Sequence, residues 1–258
     1  YLGGSDYDHD ATISADADGN AWISGETSSS DWTVGGFDTS YDGADDLFVA
    51  KINANGTLAW SSYLGGSGYD RNGDIAVDAE GNGWLTGTTD SYEAVGGFDI
   101  GREGLDEAII AKINADGSLA WSSYLGGSSW DNGRGISVDS HGNAWVTGST
   151  NSPGWTVGGF DTTYNVGSDH WDDDAFVAKI NANGSLAWSS YLGGSADDHG
   201  VDISMDTHDN AWITGTSDST GWTVGGFDTN SNNGHFVAKI NANGTVAWSR
   251  YVGGGSLD

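Results

Sequence analysis

Apolar and polar positions alternate in short runs along this chain, and the runs come in pairs separated by turn residues. In one representative segment, residues 74–78 and 83–88 flank the turn 79–82, and residues 108–113 and 119–124 flank the turn 114–117. Alternation with a period of two predicts β-strands, and a Gly inside each short turn predicts a hairpin. Each segment of this kind is therefore predicted to contain two hairpins, that is, four antiparallel strands.

The pattern recurs because the chain is built from internal repeats. The run AWSSYLGGS stands at 59–67, 120–128 and 187–195, and partial copies open and close the chain. With the Tyr of this run as the phase mark, the repeats are 1–62, 63–123, 124–190 and 191–250, and 251–258 is the end of a C-terminal strand. Four-stranded units bury both faces only when they stack. We predict an all-β fold, a single domain over 1–258: a β-propeller of four four-stranded antiparallel blades, alone or within a larger propeller or array.

The composition agrees with strands and turns and excludes several partners. The chain has 43 Gly, one Pro and no Cys. This much glycine argues against a helical fold, because glycine is unfavourable inside helices. Without cysteine, no disulfide can form. Its 37 acidic and eight basic residues give a net charge of −29, which opposes binding to nucleic acid and to anionic membranes. It has no apolar run long enough to cross a bilayer and no signal-peptide pattern, so we expect no membrane insertion.

Eleven of the thirteen tryptophans fall into three sets that keep a fixed place in the repeat. One set is on the second strand of each unit and one on the fourth, and both are expected to pack between blades. The third set precedes the run Val-Gly-Gly-Phe-Asp in a long connection and is a candidate for stacking against sugars. A further candidate for ligand contact lies in the longest insertion, 162–174. The candidate ligand-binding residues are Trp32, Trp155, Trp222 and Trp171.

Three motifs carry a resemblance to a known family. They are Tyr-Leu-Gly-Gly-Ser (63–67), Ile-x-x-Asp-x-x-Gly-Asn-x-Trp-x-x-Gly (75–87) and Phe-Val-Ala-Lys-Ile-Asn-Ala-Asn-Gly (48–56). Together, in four copies, they resemble the SBBP-type bacterial β-propeller repeat and, more distantly, NHL-type blades. The resemblance implies a propeller and an extracellular or cell-surface setting. It implies no enzyme, because the family shares no catalytic motif that could be matched here.

Recurring aspartates suggest cation sites. One set lies between blades, and carboxylates in Asp- and Gly-rich loops suit Ca²⁺, which takes six to eight oxygen ligands. The alternative for each is a carboxylate that caps a turn. The candidate metal ligands are Asp8, Asp70, Asp131 and Asp198, with the neighbouring Asp6, Asp10 and Asp197. A second acidic cluster precedes the third strand and is expected to be solvated or to bind cations weakly: Asp45–Asp46, Asp106–Glu107 and Asp172–Asp174.

The four lysines hold one place per repeat, on the third strand, and each is expected to pair with a nearby aspartate: Lys51, Lys112, Lys179 and Lys239. No serine-nucleophile motif is present, and the histidines keep no common repeat position.

Three functions stay open at this point. The leading expectation is a non-enzymatic structural or adhesive module, stabilised by Ca²⁺, that serves as a subunit of a surface or fibrous assembly. The second is a carbohydrate-binding propeller with a glycan partner at the cell surface, and the third is an enzyme acting on polysaccharide. Three options are open for the spare copy of the repeat at 1–5: it dangles or pairs outside the last strand, the chain is an excerpt of a longer array, or the spare ends join neighbouring subunits head to tail.

Overall fold

A computed structural model describes residues 2–92, 94–165, 172–225 and 234–252 and contains sixteen β-strands. The first two blades are β1 (Asp8–Ala15), β2 (Ala21–Thr27), β3 (Asp46–Ile52), β4 (Leu58–Leu64), β5 (Asp70–Val77), β6 (Gly83–Thr89), β7 (Glu107–Ile113) and β8 (Leu119–Leu125). The other two are β9 (Asp131–Val138), β10 (Ala144–Thr150), β11 (Asp174–Ile180), β12 (Leu186–Leu192), β13 (Asp198–Met205), β14 (Ala211–Ser217), β15 (Gly234–Ile240) and β16 (Val246–Val252).

Four consecutive strands form each sheet, in sequence order and fully antiparallel. This confirms the predicted all-β fold of four four-stranded blades. The predicted strand bounds hold to within one residue except at the start of the first strand. That strand begins at Asp70 rather than at residue 74, and its register with β6 shifts between Asn72 and Asp74. The aspartates expected in loops between blades are therefore the first residues of strands. Among the described residues, no helix is long and apolar enough to cross a membrane.

The hydrophobic core lies between blades rather than within them. The first strand of each later blade packs across the first three strands of the blade before it. Each of the three core clusters accordingly draws residues from two consecutive blades; Trp22, Leu47 and Val49 of blade one, for example, cluster with Ile75 and Leu85 of blade two. Burial of apolar surface at these three junctions is the main stabilising contribution that stacking adds.

Tryptophan pairs mark each junction, as the repeat predicted. Trp145 on β10 and Trp188 on β12 meet edge to face, with ring centroids 5.2 Å apart, and Trp145 is fully buried. The turn of the next blade lies directly over this pair, because a β-carbon on Gly244 would come within 3.0 Å of the Trp188 ring. Gly244 has φ +83°, a conformation that glycine adopts without strain. The glycine of this hairpin therefore serves both the turn and the close contact between blades.

The stack does not close into a ring in the part of the chain that the structure describes. The face of blade four that corresponds to a junction is open, and Trp212 is 37% exposed although its counterparts on blades one to three are fully buried. The opposite face, on blade one, is open as well: Ile13 is 69% exposed, whereas its counterpart Ile75 is 3% exposed. The molecule therefore has two end faces, which we call the blade-four face and the blade-one face.

Candidate functional site at the blade junctions

A glycine turn joins each blade to the next and rests on the first aspartate of the following strand. After β4, Gly66 donates its backbone N–H to Asp70 Oδ2 at 2.8 Å. The same bond joins Gly194 to Asp198 at 2.7 Å after β12. This explains why Tyr-Leu-Gly-Gly-Ser recurs so strictly: the run ends the fourth strand and presents its second glycine to the carboxylate that starts the next blade.

Hydroxyl groups complete the surroundings of this aspartate. Asp131 accepts hydrogen bonds from Thr150 Oγ1, from Ser152 Oγ at 2.8 Å and from Gly127 N–H at 2.9 Å. Burial nevertheless raises the pKa of Asp131 to about 6, because removing the carboxylate from water outweighs these hydrogen bonds. The turn-capping alternative therefore accounts for the hydrogen bond from the glycine turn to this aspartate, but not for the burial of its carboxylate.

The opening segment of the chain occupies the same position on blade one. Gly4 donates its N–H to Asp8 Oδ2 at 3.0 Å, and Thr27 Oγ1 donates to Asp8 Oδ1 at 2.5 Å. Ser5 N–H reaches Asp31 at 3.1 Å. Residues 2–5 are therefore bound to blade one as a linker is bound to the blade that follows it. The first of the three options for this segment, that it dangles or pairs outside the last strand, is wrong.

The second acidic cluster is partly buried, and the expectation of a solvated surface is wrong for one member in each of three blades. Asp46, Glu107 and Asp174 begin the third strands and are at most 2% exposed. They lie there because the following residues are the buried apolar core of that strand. Burial, with the neighbouring carboxylates, raises the pKa of Asp46 and of Glu107 to about 7 and that of Asp174 to about 8.

Backbone pairing brings the two kinds of acid together at each junction. Asp70 N–H donates to the carbonyl of Asp45 at 2.8 Å, which sets the start of β5 beside the start of β3. In the same way Asp131 bonds to Asp106 at 2.9 Å. The resulting pairs of carboxylates, which we call junction acid pairs, are Asp46 with Asp70, Glu107 with Asp131, and Asp174 with Asp198.

The additional aspartates of the predicted metal set are not drawn into these pairs. Asp6 and Asp197 are exposed on the linkers; Asp197 Oδ1 accepts a hydrogen bond from Asp173 N–H at 3.0 Å. Asp10 lies in the bulge of β1, at φ +50°, with its Oδ2 3.0 Å from His9 Nδ1, and Glu26 completes a small cluster there. The structure therefore separates the predicted set into buried junction residues and surface residues.

The opposite end of each first strand holds an aspartate with a different partner. Lys179 Nζ lies 2.9 Å from Asp139 Oδ2, and the Trp145 indole N–H donates to the same oxygen at 3.2 Å. Hydrogen bonds from Asn143 and the ammonium of Lys179 outweigh burial and lower the pKa of Asp139 to about 2. The expected pairing of lysines with aspartates is confirmed; the four pairs are Lys51–Asp16, Lys112–Asp78, Lys179–Asp139 and Lys239–Asp206.

The loop tryptophans are half-buried and take part in packing. Trp155 meets Phe176 edge to face at 5.3 Å, and its indole N–H donates to Thr150 Oγ1 at 3.1 Å. Trp32 and Trp222 make the same contacts in blades one and four. Trp171 lies outside the described residues.

A cavity of about 580 Å³ borders one of these loop tryptophans. Blade three contributes Phe160, Asp161, Asn165 and Tyr191 to its wall, and blade four contributes Trp222. The cavity therefore combines aromatic rings with a carboxylate and an amide, the groups that contact sugars.

Comparisons with known proteins agree with this architecture. The profile of the SBBP β-propeller repeat matches residues 120–154, and that of a β-propeller domain of unknown function (DUF5122) matches residues 32–58. The first match spans the junction of blades two and three, including Asp131 and its glycine turn. No curated protein matches the chain.

The solved structures that match this chain are distant. A protein of unknown function from Bacteroides caccae is 11% identical, with a TM-score of 0.41, and the match covers 93% of this chain and 81% of that one. A variant of the Synechocystis apocarotenoid oxygenase is 9% identical with a TM-score of 0.40; 92% of this chain matches, but only about half (48%) of the oxygenase. The two matched segments and the four four-stranded blades together show a β-propeller repeat architecture.

Proposed function

We propose that this chain is a non-enzymatic structural module of the extracellular space or cell surface that assembles with copies of itself. Its two end faces carry the proposal. Trp212 and Val252 on the blade-four face are exposed, while the corresponding Trp145 and Leu192 are buried beneath blade four. An apolar face whose counterparts are covered three times within the chain is suited to take up one more blade of the same kind.

The blade-one face is complementary to the blade-four face, because it presents an exposed first strand of the kind that covers Trp145 inside the chain. At the junction of blades three and four, Ile203 of β13 packs into the cluster that contains Trp145. Ile13 holds the place of Ile203 on β1 and is exposed. Contact between unlike faces is heterologous, so it yields a closed ring if the rotation closes and a filament if it does not.

The assembly is tested by sedimentation velocity over a range of protein concentrations. We expect the native protein to associate, and Trp212→Gln to sediment as a monomer with a circular dichroism spectrum like that of the native protein. Val157→Ser is the matched control, because Val157 is an exposed apolar residue of a long connection and lies on neither end face. A native protein that stays monomeric at all concentrations would contradict the proposal.

Carbohydrate binding is the second candidate, and the cavity beside Trp222 favours it. Asn165 lines this cavity, and its backbone N–H donates a hydrogen bond to Asp174 Oδ2 at 3.1 Å. Asn165→Ala should therefore weaken sugar binding without loosening the blade. A glycan array with the native protein, followed by affinity measurements on Asn165→Ala, tests this candidate. If the native protein binds no glycan on the array, carbohydrate binding is contradicted.

A further inference from the structure

The junction of blades one and two brings two buried carboxylates to one point. A β-carbon placed on Gly65 would lie 2.6 Å from Asp70 Oδ2 and 3.1 Å from Asp46 Oδ1, so both oxygens border the same small volume. Both side chains are 1% exposed. The two residues come from different blades, and whatever occupies this volume therefore acts on the contact between blades.

The two carboxylates differ in how far their hydrogen-bonding capacity is used. Asp70 accepts from Gly66 N–H and from Ser91 Oγ at 3.1 Å. Asp46 Oδ2 receives only a long contact of 3.4 Å from Asp42 N–H, and Asp46 Oδ1 has no hydrogen-bond partner among the described residues. Burying a carboxylate oxygen without a hydrogen-bond partner loses a substantial part of its hydration free energy. Buried polar atoms therefore normally have a partner, and a bound cation would supply one here.

Further oxygen atoms surround Asp46 Oδ1. A β-carbon on Gly43 would lie 2.5 Å from this oxygen, 2.3 Å from the carbonyl oxygen of Gly66 and 2.8 Å from that of Gly68. Carboxylate and backbone carbonyl oxygens are the ligands that Ca²⁺ prefers. The lysines cannot neutralise the pair, because all four lie on the third strands at their other ends, paired with aspartates.

We propose that a Ca²⁺ ion binds at this junction between Asp46 and Asp70 and so connects blade two to blade one. The carbonyl oxygens of Gly66 and Gly68 lie beside the same position and are its further ligands.

The proposal is tested by titrating Ca²⁺ into chelator-treated protein, in a calorimeter and by thermal unfolding. Native protein should bind Ca²⁺ and melt at a higher temperature with it. Asp46→Asn should weaken binding more than about tenfold. Asp46→Glu should retain it, since Glu107 holds the same place at the next junction. Asp18→Asn is the control: it removes the same charge from an exposed hairpin turn of blade one and should bind as the native protein does.

Tb³⁺ luminescence locates the ion, because Tyr63 lies near Asp46 and can sensitise a lanthanide bound there. Sensitised emission should fall in Asp46→Asn and persist in Asp18→Asn. Equal losses in both variants would mean diffuse attraction by the acidic surface and would overturn the proposal. A native protein whose melting temperature does not change with Ca²⁺ would also overturn it. Repeating the titration with Trp212→Gln separates this result from the fate of the assembly proposal.

Discussion

The junctions inside the chain and the two end faces are made from the same repeat, yet their residues differ in burial. All seven residues of β10 are buried, because blade four covers one of its faces and blade two covers the other. In β14 buried and exposed residues alternate at the first five positions, with Trp212 and Thr214 exposed. The sequences of the two strands are nearly the same, so the burial of a given repeat position depends on whether a neighbouring blade covers it.

The acids follow the same division. Each internal junction holds a pair of buried carboxylates, whereas β15 of blade four begins with Gly234 where the other blades have Asp or Glu. Asp8 on the blade-one face, correspondingly, is less buried than Asp70. A blade added at either end would therefore be held by apolar contact without a fourth pair of acids.

The largest expected effect comes from removing a tryptophan at an internal junction. Trp145→Ala should lower the free energy of unfolding by about 3–5 kcal/mol, because it leaves a cavity among packed side chains. Trp212→Ala, at the same repeat position on the open face, should cost clearly less in the monomer. Chemical denaturation of both variants at low protein concentration measures the difference. Equal losses would mean that blade four is covered as the other blades are.

The lysine pairs provide the next contrast. Lys179→Ala leaves the buried Asp139 without its cation and should cost about 2–3 kcal/mol near neutral pH. Lys239→Ala, whose partner Asp206 is more exposed on blade four, should cost less. The free energy of unfolding of the two variants tests this order, and a double variant with Asp139→Asn should recover part of the first loss.

The junction acid pairs should make stability depend on pH in the opposite sense to the lysine pairs. The folded state holds protons on Asp46, Glu107 and Asp174 that the unfolded chain has released, so stability in chelator should fall as pH rises from about 4 to about 7. Asp46→Asn should be more stable than the native protein by about 1–2 kcal/mol at pH 8 without Ca²⁺. Below pH 4 the lowered pKa of Asp139 acts the other way, and stability should fall with decreasing pH. Thermal unfolding across pH 2–9 in chelator reports both trends; a rise between pH 4 and 7 would contradict the first.

The smallest expected effect lies inside the blades. Tyr63 and Tyr251 hydroxyls donate to the carbonyls of Ser29 at 2.6 Å and Ser219 at 2.7 Å, each within one blade. Replacement by Phe should cost about 1 kcal/mol in either case, because one buried hydrogen bond is lost. Equal losses in blades one and four would support the view that only contacts between blades distinguish the ends. A much smaller loss in Tyr251→Phe would mean that blade four is loosened throughout.

The sequence predicted much of this architecture because the repeat supplied four aligned copies. The tryptophans of the second and fourth strands recur in phase with the strands, so their place between blades followed from periodicity. The lysines were predicted to pair with aspartates, but their partners could not be named, because Lys179 and Asp139 are 40 positions apart and meet only through strand pairing.

The junction acid pairs were missed as pairs for a related reason. Asp46 was grouped with Asp45 as surface because the two are adjacent and acidic. The available signal was its place directly before Leu47, Phe48, Val49 and Ala50, a run that is buried throughout. In a strand buried on both faces, the first residue is buried too, whatever its charge. Which faces stay open depends on how the blades stack. A repeat pattern that is the same in all units cannot indicate which faces these are.

Mixing two variants tests whether the blade-one and blade-four faces bind each other. Ile13→Gln places a polar side chain on the blade-one face, and Trp212→Gln places one on the blade-four face. Each variant alone should sediment as a monomer, because every contact needs one face of each kind. An equimolar mixture should form a dimer and nothing larger, since each variant contributes its intact face. Monomers in the mixture, or association of either variant alone, would contradict the account.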